Sequence, residues 1–249
     1  MAATSCACSV SMSEAARADG STPLTELLAR RRSVRAYTDE PVEEAEIQRL
    51  LAVAGMAPSG GNVQPWRVWT LTGDTLTRFR ERIAELRREQ PMGAGDEYPM
   101  YPPKLWEPYR TRRFDVGERL YASIGIERSD RDGRIAQFAN NYDFFGAPAA
   151  LLIGIERRMG RPQIMDLGMF IQTFLLAATE AGLATCPQAA WTSWHDAVYE
   201  MLDWPDDVML MCGIAIGHED TEHPINSWRA PRADVAEWST AARFASDEG

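Results

Sequence analysis

Four short stretches carry side chains whose types and spacing can do chemistry. "ARRRSVRAY" (29–37) puts Arg31, Arg32, Ser33 and Arg35 within five residues. Three guanidiniums and a hydroxyl can hold a phosphate through charge-assisted, forked hydrogen bonds. The same residues also suit a solvated basic surface. "APSGGNVQPW" (57–66) carries Gly60 and Gly61, which permit positive φ and close backbone approach. Beside them, Asn62 and Gln64 each offer a donor and an acceptor, which suits the edge of a heterocycle. A tight loop would use the same residues. "CPQAAW" (186–191) follows its proline with small residues that leave backbone N–H groups accessible, as a plain loop also does. "HEDTEH" (218–223) combines His218 and His223 with three acids, which are metal-ligand types. A solvated loop after a strand is the preferred reading there. No GxSxG, P-loop or full GxGxxG occurs; "GAGDEY" (93–98) lacks the third glycine.

The elements that must position these stretches follow from the pattern of the chain. Its 249 residues suit one large domain or two small ones. Apolar residues make up 45% and charged residues 25%, as in soluble globular proteins. A net charge of −10 excludes a global basic field for nucleic acid, so any anion must be held by a local positive cluster. Four cysteines without paired CxxC spacing point to a reduced, cytoplasmic protein. Residues 1–20 lack a basic and an apolar signal region, and are expected to be a disordered tail. No apolar run reaches the roughly 18–20 residues of a membrane helix.

Thr22-Pro23 opens a helix, "PLTELLARRR", expected to bury Leu24, Leu27 and Leu28. A second helix is expected at about 43–57, with Ile47, Leu50, Leu51 and Ala54 on one face. "RVWTLT" reads as a strand. Asp74 is expected to cap a third helix with Leu76, Phe79, Ile83 and Leu86 in one stripe. From about 90 to 134 the pattern breaks down into prolines and large aromatics, which suggests a lid or insertion, with "RLYASIGI" a short helix. "APAALLIGI" and "VMLMCGIAIG" are buried strands. "DLGMFIQTFLLAATEAG" is apolar on nearly every face, so a helix buried all round, in a large core or a subunit interface, is expected, ended by Gly182. Ser193 with Asp196 predicts a capping box for a helix carrying Trp194, Val198 and Leu202. From Thr221 onward the chain is polar and looks like an arm. Strands interleaved with long helices predict a helix-covered mixed sheet.

In order along the chain, "RRRSVRAY", "APSGGNVQPW", "GLATCPQAAW" and "NSWRAPR" resemble the FMN-dependent nitroreductase family. The resemblance covers roughly residues 24–232, and "FGAPAALLIGI" with the apolar helix after it also fits. "YPPKLWEPYRTRR…LYASIGI" resembles the nitrobenzoate-reductase-like branch less closely. The resemblance implies an α+β fold: a mixed sheet flanked by helices, in an intertwined homodimer whose C-terminal arms (221–249) are exchanged. It implies a single domain over 21–249 and two FMN molecules, each touched by both chains. By position, Arg31, Arg32, Ser33 and Arg35 would meet the FMN phosphate, ribityl chain and pyrimidine side. Pro58, Ser59, Gly60 and Asn62 would approach from the partner, with Gln64 a further contact. Gln188, Ala189 and Ala190 would lie at the ring, the backbone N–H of the last two facing flavin N5. Arg229 would sit near the phosphate. Some relatives have a glutamate where Ala189 stands, so no carboxylate role is implied here.

The activity so implied is two-electron reduction of a flat acceptor, above all a nitroaromatic, by NAD(P)H in ping-pong fashion. No catalytic side chain is assigned, because the cofactor carries the chemistry. Tyr98, Tyr101, Trp106, Tyr109, Phe114 and Phe145 are candidates for a stacking wall or lid; local packing would use them equally well. No nucleic-acid, membrane or metal partner is expected. Reductive dehalogenation, enoate reduction and flavin cleavage remain alternatives on the same site, as do a flavin-binding protein without turnover and a metal module built on "HEDTEH".

Overall fold

A computed structural model describes residues 23–91 and 93–242. The expected N-terminal tail, Cys6, Cys8 and the Thr22 cap lie outside them. Among the described residues, seven helices surround one four-stranded sheet. In chain order these are α1 (Pro23–Arg30), α2 (Glu44–Ala54), β1 (Trp66–Thr72), α3 (Gly73–Glu89), α4 (Tyr109–Ser123) and α5 (Arg131–Ala139). Then follow β2 (Ala149–Glu156), α6 (Arg161–Glu180), β3 (Ala184–Gln188), α7 (His195–Leu202) and β4 (Val208–Gly217).

The sheet order is β1-β2-β4-β3, and each neighbouring pair is antiparallel. The class is α+β, as expected. Its parallel component is one bridge, Ser33 to Thr185. The continuous apolar runs of β2 and β4 arise because both strands are central and covered on both faces. On one face α2 and α6 bring Ile47, Leu50, Leu167, Phe170 and Phe174 onto Leu151, Ile153, Ile214 and Ile216. On the other, Leu76, Phe79, Ile83, Trp191 and Val198 pack on Ala150, Leu152, Leu210 and Ala215. Each such large apolar side chain contributes about 1.5–3 kcal/mol of burial.

Several local expectations are corrected. α1 ends at Arg30 and α2 at Ala54, each sooner than expected. Leu24 and Leu28 are 55% and 46% exposed rather than buried, because nothing in the described chain covers the outer side of α1. Asp74 lies inside the first turn of α3, whose N-cap is Thr72. "RLYASIGI" is the end of the 15-residue α4, stopped where Gly125 adopts φ +70°. Of the two settings expected for α6, the core of one chain does not cover it all round, since Ile164, Met165 and Met169 are exposed. The expected capping box at Ser193 does not form. Trp194 is the N-cap of α7, and the Ser193 hydroxyl donates to Asp96 Oδ1 at 2.7 Å instead. Gly182 does supply the left-handed turn after α6, at φ +84°.

Candidate functional site

Beyond α1 the chain runs extended along the sheet edge. Val34 N donates to Thr185 O at 3.0 Å, and Thr38 N to His218 O at 2.9 Å. Asn226, 4% exposed, clamps this run. It accepts from Arg35 N at 2.9 Å and donates to Ala36 O and Asp220 O, each at 2.9 Å. The clamp brings the C-terminal segment against the arginine turn. Arg229 Nη2 donates to Arg30 O at 3.1 Å, and Arg32 pairs with Glu219. Burial lowers the Arg31 pKa, and the Arg232 and Arg229 charges lower it further. Burial also lowers that of Arg229, helped by Arg32 and opposed by Glu219. Arg31, Arg229 and Arg232 therefore repel one another beside the Arg32–Glu219 pair. Such a cluster stabilises an incoming anion.

Arg35 points along the same edge. Its Nη1 donates to Ser33 O at 3.4 Å, and its guanidinium lies 6.0 Å from the centre of the Phe145 ring. Burial pushes the Cys186 thiol up, opposed by the Arg35 charge and a hydrogen bond with Ser33. The edge strand β3 carries two buried side-chain atoms without a hydrogen-bond partner, Thr185 Oγ1 and Gln188 Oε1. They lie three residues apart, about 10 Å along the strand. The Gln188 amide is oriented by its Nε2, which donates to Asn141 O at 2.7 Å. Just beyond, Ala189 and Ala190 open a 3-10 turn, Ala189–Trp194, tied by Thr192 Oγ1 donating to Ala189 O at 2.9 Å.

The neighbouring turn, Asn140–Gly146, is strained. Phe144 and Phe145 adopt φ of 49° and 55°, costing about 1–3 kcal/mol each. Burial of Phe144, stacked 4.5 Å from Trp191, holds that conformation and places Phe145 beneath Arg35.

The glycine corner lies elsewhere. Gly61, Asn62 and Gln64 take φ of 60°, 58° and 51°. Gln64 N donates to Ser59 Oγ at 3.0 Å, and Gln64 Nε2 to Asn62 Oδ1 at 3.1 Å. Gly60 N donates to Asp166 Oδ2 at 3.2 Å, which pins the corner to the first turns of α6. Pro58 lies before this turn, exposed. Ser33, by contrast, bridges Thr185, just past the end of α6. Fourteen helical residues from Asp166 to Glu180 span about 21 Å. The corner also precedes β1, at the opposite edge of the sheet from β3. One chain thus brings together Arg31, Arg32, Ser33, Arg35 and Arg229, with Gln188 at the end of the adjoining strand and Ala189 and Ala190 in the turn that follows it. It does not bring Pro58, Ser59, Gly60, Asn62 or Gln64 to them.

The six aromatics divide. Tyr98 is tethered: its hydroxyl donates to Met211 O, and burial pushes its pKa up to about 12. The segment before it is equally fixed, with Ala94 N donating to Ser193 O at 3.0 Å and Glu97 paired with Arg157 and Tyr199. Tyr101, Trp106 and Tyr109 line one exposed slot with Arg112 and Arg113. Phe114 is exposed with Arg128 5.0 Å over its ring. Phe145 alone reaches the arginine turn.

In "HEDTEH", His218 Nε2 lies 3.5 Å from Glu40 Oε1, and His223 Nδ1 accepts from Ile225 N. Among the described residues no cluster of three or more His, Cys, Asp or Glu could hold a metal. No helix among them is long and apolar enough to cross a membrane.

Sequence reasoning did not single out Asn226, Arg232, Glu219 or Asp166. Asn226 and Arg232 bracket "NSWRAPR", and Glu219 stands in "HEDTEH". An acid opening an apolar helix was the signal for Asp166.

The site is thus an arginine cluster beside an edge strand with orphaned polar atoms, in an α+β fold whose second polar corner lies at the opposite edge of the sheet. Residues 28–218 match the model of the Nitroreductase family. The chain belongs to the nitroreductase family. It is 39% identical over 214 residues to 4-nitrobenzoate reductase of Nocardioides sp. (strain LMS-CY), covering 82% of this chain and 84% of that one. Its fold matches the FMN and NADPH-dependent nitroreductase NfnB from sphigopyxis sp. strain HMH with a TM-score of 0.86. That match has 45% identity and covers 90% of this chain and all of the other. It also matches the FMN-dependent nitroreductase NfnB from Mycobacterium smegmatis in complex with NADPH, at a TM-score of 0.82 and 30% identity, covering 88% and 100%.

Proposed function

We propose that this protein is an FMN-dependent NAD(P)H reductase of nitroaromatic compounds. The observation that carries the reading is the cluster of mutually repelling guanidiniums, Arg31, Arg229 and Arg232, beside the Arg32–Glu219 pair, in a chain of the nitroreductase family. The residues fit the cofactor. A phosphate would relieve the repulsion among the guanidiniums, and a polar ring edge would give Gln188 Oε1 a partner. Bound FMN supplies two-electron transfer from NAD(P)H to a nitro group, carrying it to nitroso and then hydroxylamine.

The chain's own residues bind and orient. Arg31, Arg32 and Arg229 hold the phosphate, with Arg232 adding charge. Ser33 and Arg35 hold the polar chain and ring edge. The Ala189 and Ala190 backbone N–H groups face the reacting edge, where fixed donors stabilise developing negative charge. Phe145 limits access from one side and keeps water from the Arg35 edge. Donor and acceptor use one cleft in turn, so ping-pong kinetics are expected.

The second half of the site comes from a second copy of the chain. Leu24 and Leu28 of α1, Ile164, Met165 and Met169 of α6, and Met56 and Val63 at the glycine corner are exposed apolar residues on adjoining elements. A face of that kind marks an interface. Pairing it with another copy brings the partner's Pro58–Gln64 corner to the arginine turn.

An anaerobic absorbance spectrum tests the function. A flavin band that bleaches with NADPH and returns with 4-nitrobenzoate is the expected result. A band that never bleaches would leave a flavin-binding protein without turnover. No flavin even after added FMN would overturn the reading.

A further inference from the structure

Between the Tyr98 tether and α4 lies an aromatic slot that no arginine-turn, edge-strand or corner residue lines. Tyr101, Leu105, Trp106, Tyr109, Arg112 and Arg113 enclose about 380 Å³. Trp106 and Tyr109 meet edge to face at 5.6 Å and 85°, so the slot offers flat walls in two orientations. The Arg113 guanidinium sits 4.1 Å over the Tyr101 ring. A guanidinium stacked in this way keeps its N–H edge free for an anion.

The local charge is unusual for this chain. Residues 101–113 hold four cations, Lys104, Arg110, Arg112 and Arg113, against one acid, Glu107, in a protein of net charge −10. Arg110 is paired with Glu107 and Arg112 with Glu237. Among the described residues, no carboxylate lies within ion-pair distance of Lys104 or Arg113. An apolar, flat-walled slot with cationic charge on its rim fits a planar base that carries a phosphate.

Its position favours the non-reacting half of a long ligand. The Arg112–Glu237 pair ties the slot to the C-terminal segment, five residues from Arg232 of the arginine cluster. Five extended residues span at most about 18 Å. The slot is therefore tied to the segment that carries Arg232, and no residue of the arginine cluster lines it.

We propose that this slot receives the adenosine 2′-phosphate end of NADPH, with Arg113 binding the phosphate and thereby setting a preference for NADPH over NADH. The proposal rests on the reductase reading above. The Tyr101, Trp106 and Tyr109 rings stack the base, and Lys104 adds charge at the rim.

Calorimetric titration of the purified protein with adenosine 2′,5′-bisphosphate and with 5′-AMP tests this. The bisphosphate should bind at least about tenfold more tightly, as loss of one charge-assisted hydrogen bond implies. It should also compete with NADPH. Arg113→Gln keeps a good helix former and should raise the KM for NADPH roughly 10- to 100-fold. The KM for NADH and kcat should not change. Tyr101→Leu should weaken both nucleotides through lost stacking. Equal binding of the two nucleotides by the unaltered protein would overturn the proposal. So would an Arg113→Gln protein whose KM rises for 4-nitrobenzoate and not for NADPH, since the slot would then serve the acceptor. The titration reads the slot whether or not the protein turns over, so its failure is distinguishable from failure of the reductase reading.

Discussion

The arginine turn and the glycine corner are both polar breaks between core elements, yet they are built in opposite ways. The turn is held by a buried side chain, Asn226, with three hydrogen bonds at 2.9 Å, and its character is charge. The corner is held by one carboxylate, Asp166, and its character is backbone shape, with three residues at positive φ. Charge acts over distance and tolerates movement. Shape acts only on contact. In the proposed site the turn would therefore meet the anionic end of the ligand and supply most of the affinity, and the corner would meet a flat edge and supply fit.

That contrast predicts a hierarchy. The largest effect is expected from Arg31→Ala combined with Arg35→Ala. Losing two charge-assisted hydrogen bonds at ~1.5–3 kcal/mol each lowers FMN affinity by roughly 10²–10⁴-fold. Flavin content after gel filtration, and titration of the apoprotein with FMN, would read this. Added salt should weaken FMN binding by the unaltered protein and much less by the double variant. Unchanged affinity would remove the distinction between the two regions.

A smaller loss is expected from Asp166→Ala. It leaves Gly60 N–H without its acceptor and frees the corner from α6, lowering stability by about 1–3 kcal/mol. Denaturant unfolding would measure it, and FMN binding by this variant should keep the salt dependence of the unaltered protein, because its arginine turn is intact. The smallest change is expected from Gly61→Ala. An L-residue at φ +60° costs about 1 kcal/mol, seen as a modest fall in melting temperature. FMN affinity should fall little in this variant, because alanine strains the corner without breaking it as proline would.

The two regions also differ in how far they could be read from sequence. The arginines of the turn declare themselves by type, and Gly60 and Gly61 by their backbone freedom. The central strands were legible because β2 and β4 are apolar throughout. Partners distant in sequence were not. Nothing local links Asn226 to Arg35, 191 residues away, or Asp166 to Gly60, 106 residues away. Local rules also failed where a tertiary partner competed. Ser193 has the sequence of a cap, but Asp96 takes its hydroxyl. The helix α4 was hidden by the prolines before it and by its weak apolar stripe, since none of its residues is buried. The apolar face of α1 reads as buried and is exposed in the single chain, and for α6 the sequence leaves a large core and a subunit interface open, because periodicity cannot say what covers a face.

The central claim is that each site needs the arginine turn of one chain and the glycine corner of another. Mixed dimers test it most directly. One chain would carry Arg31→Ala and Arg35→Ala. The other would carry Gly61→Pro, which cannot adopt φ +60°. Each homodimer should fail to hold FMN tightly. Coexpressed and purified by two different tags, the heterodimer should regain one tight FMN site and nitroreductase activity per dimer. A heterodimer that binds no more FMN than its parents would contradict the account and return both halves of the site to a single chain.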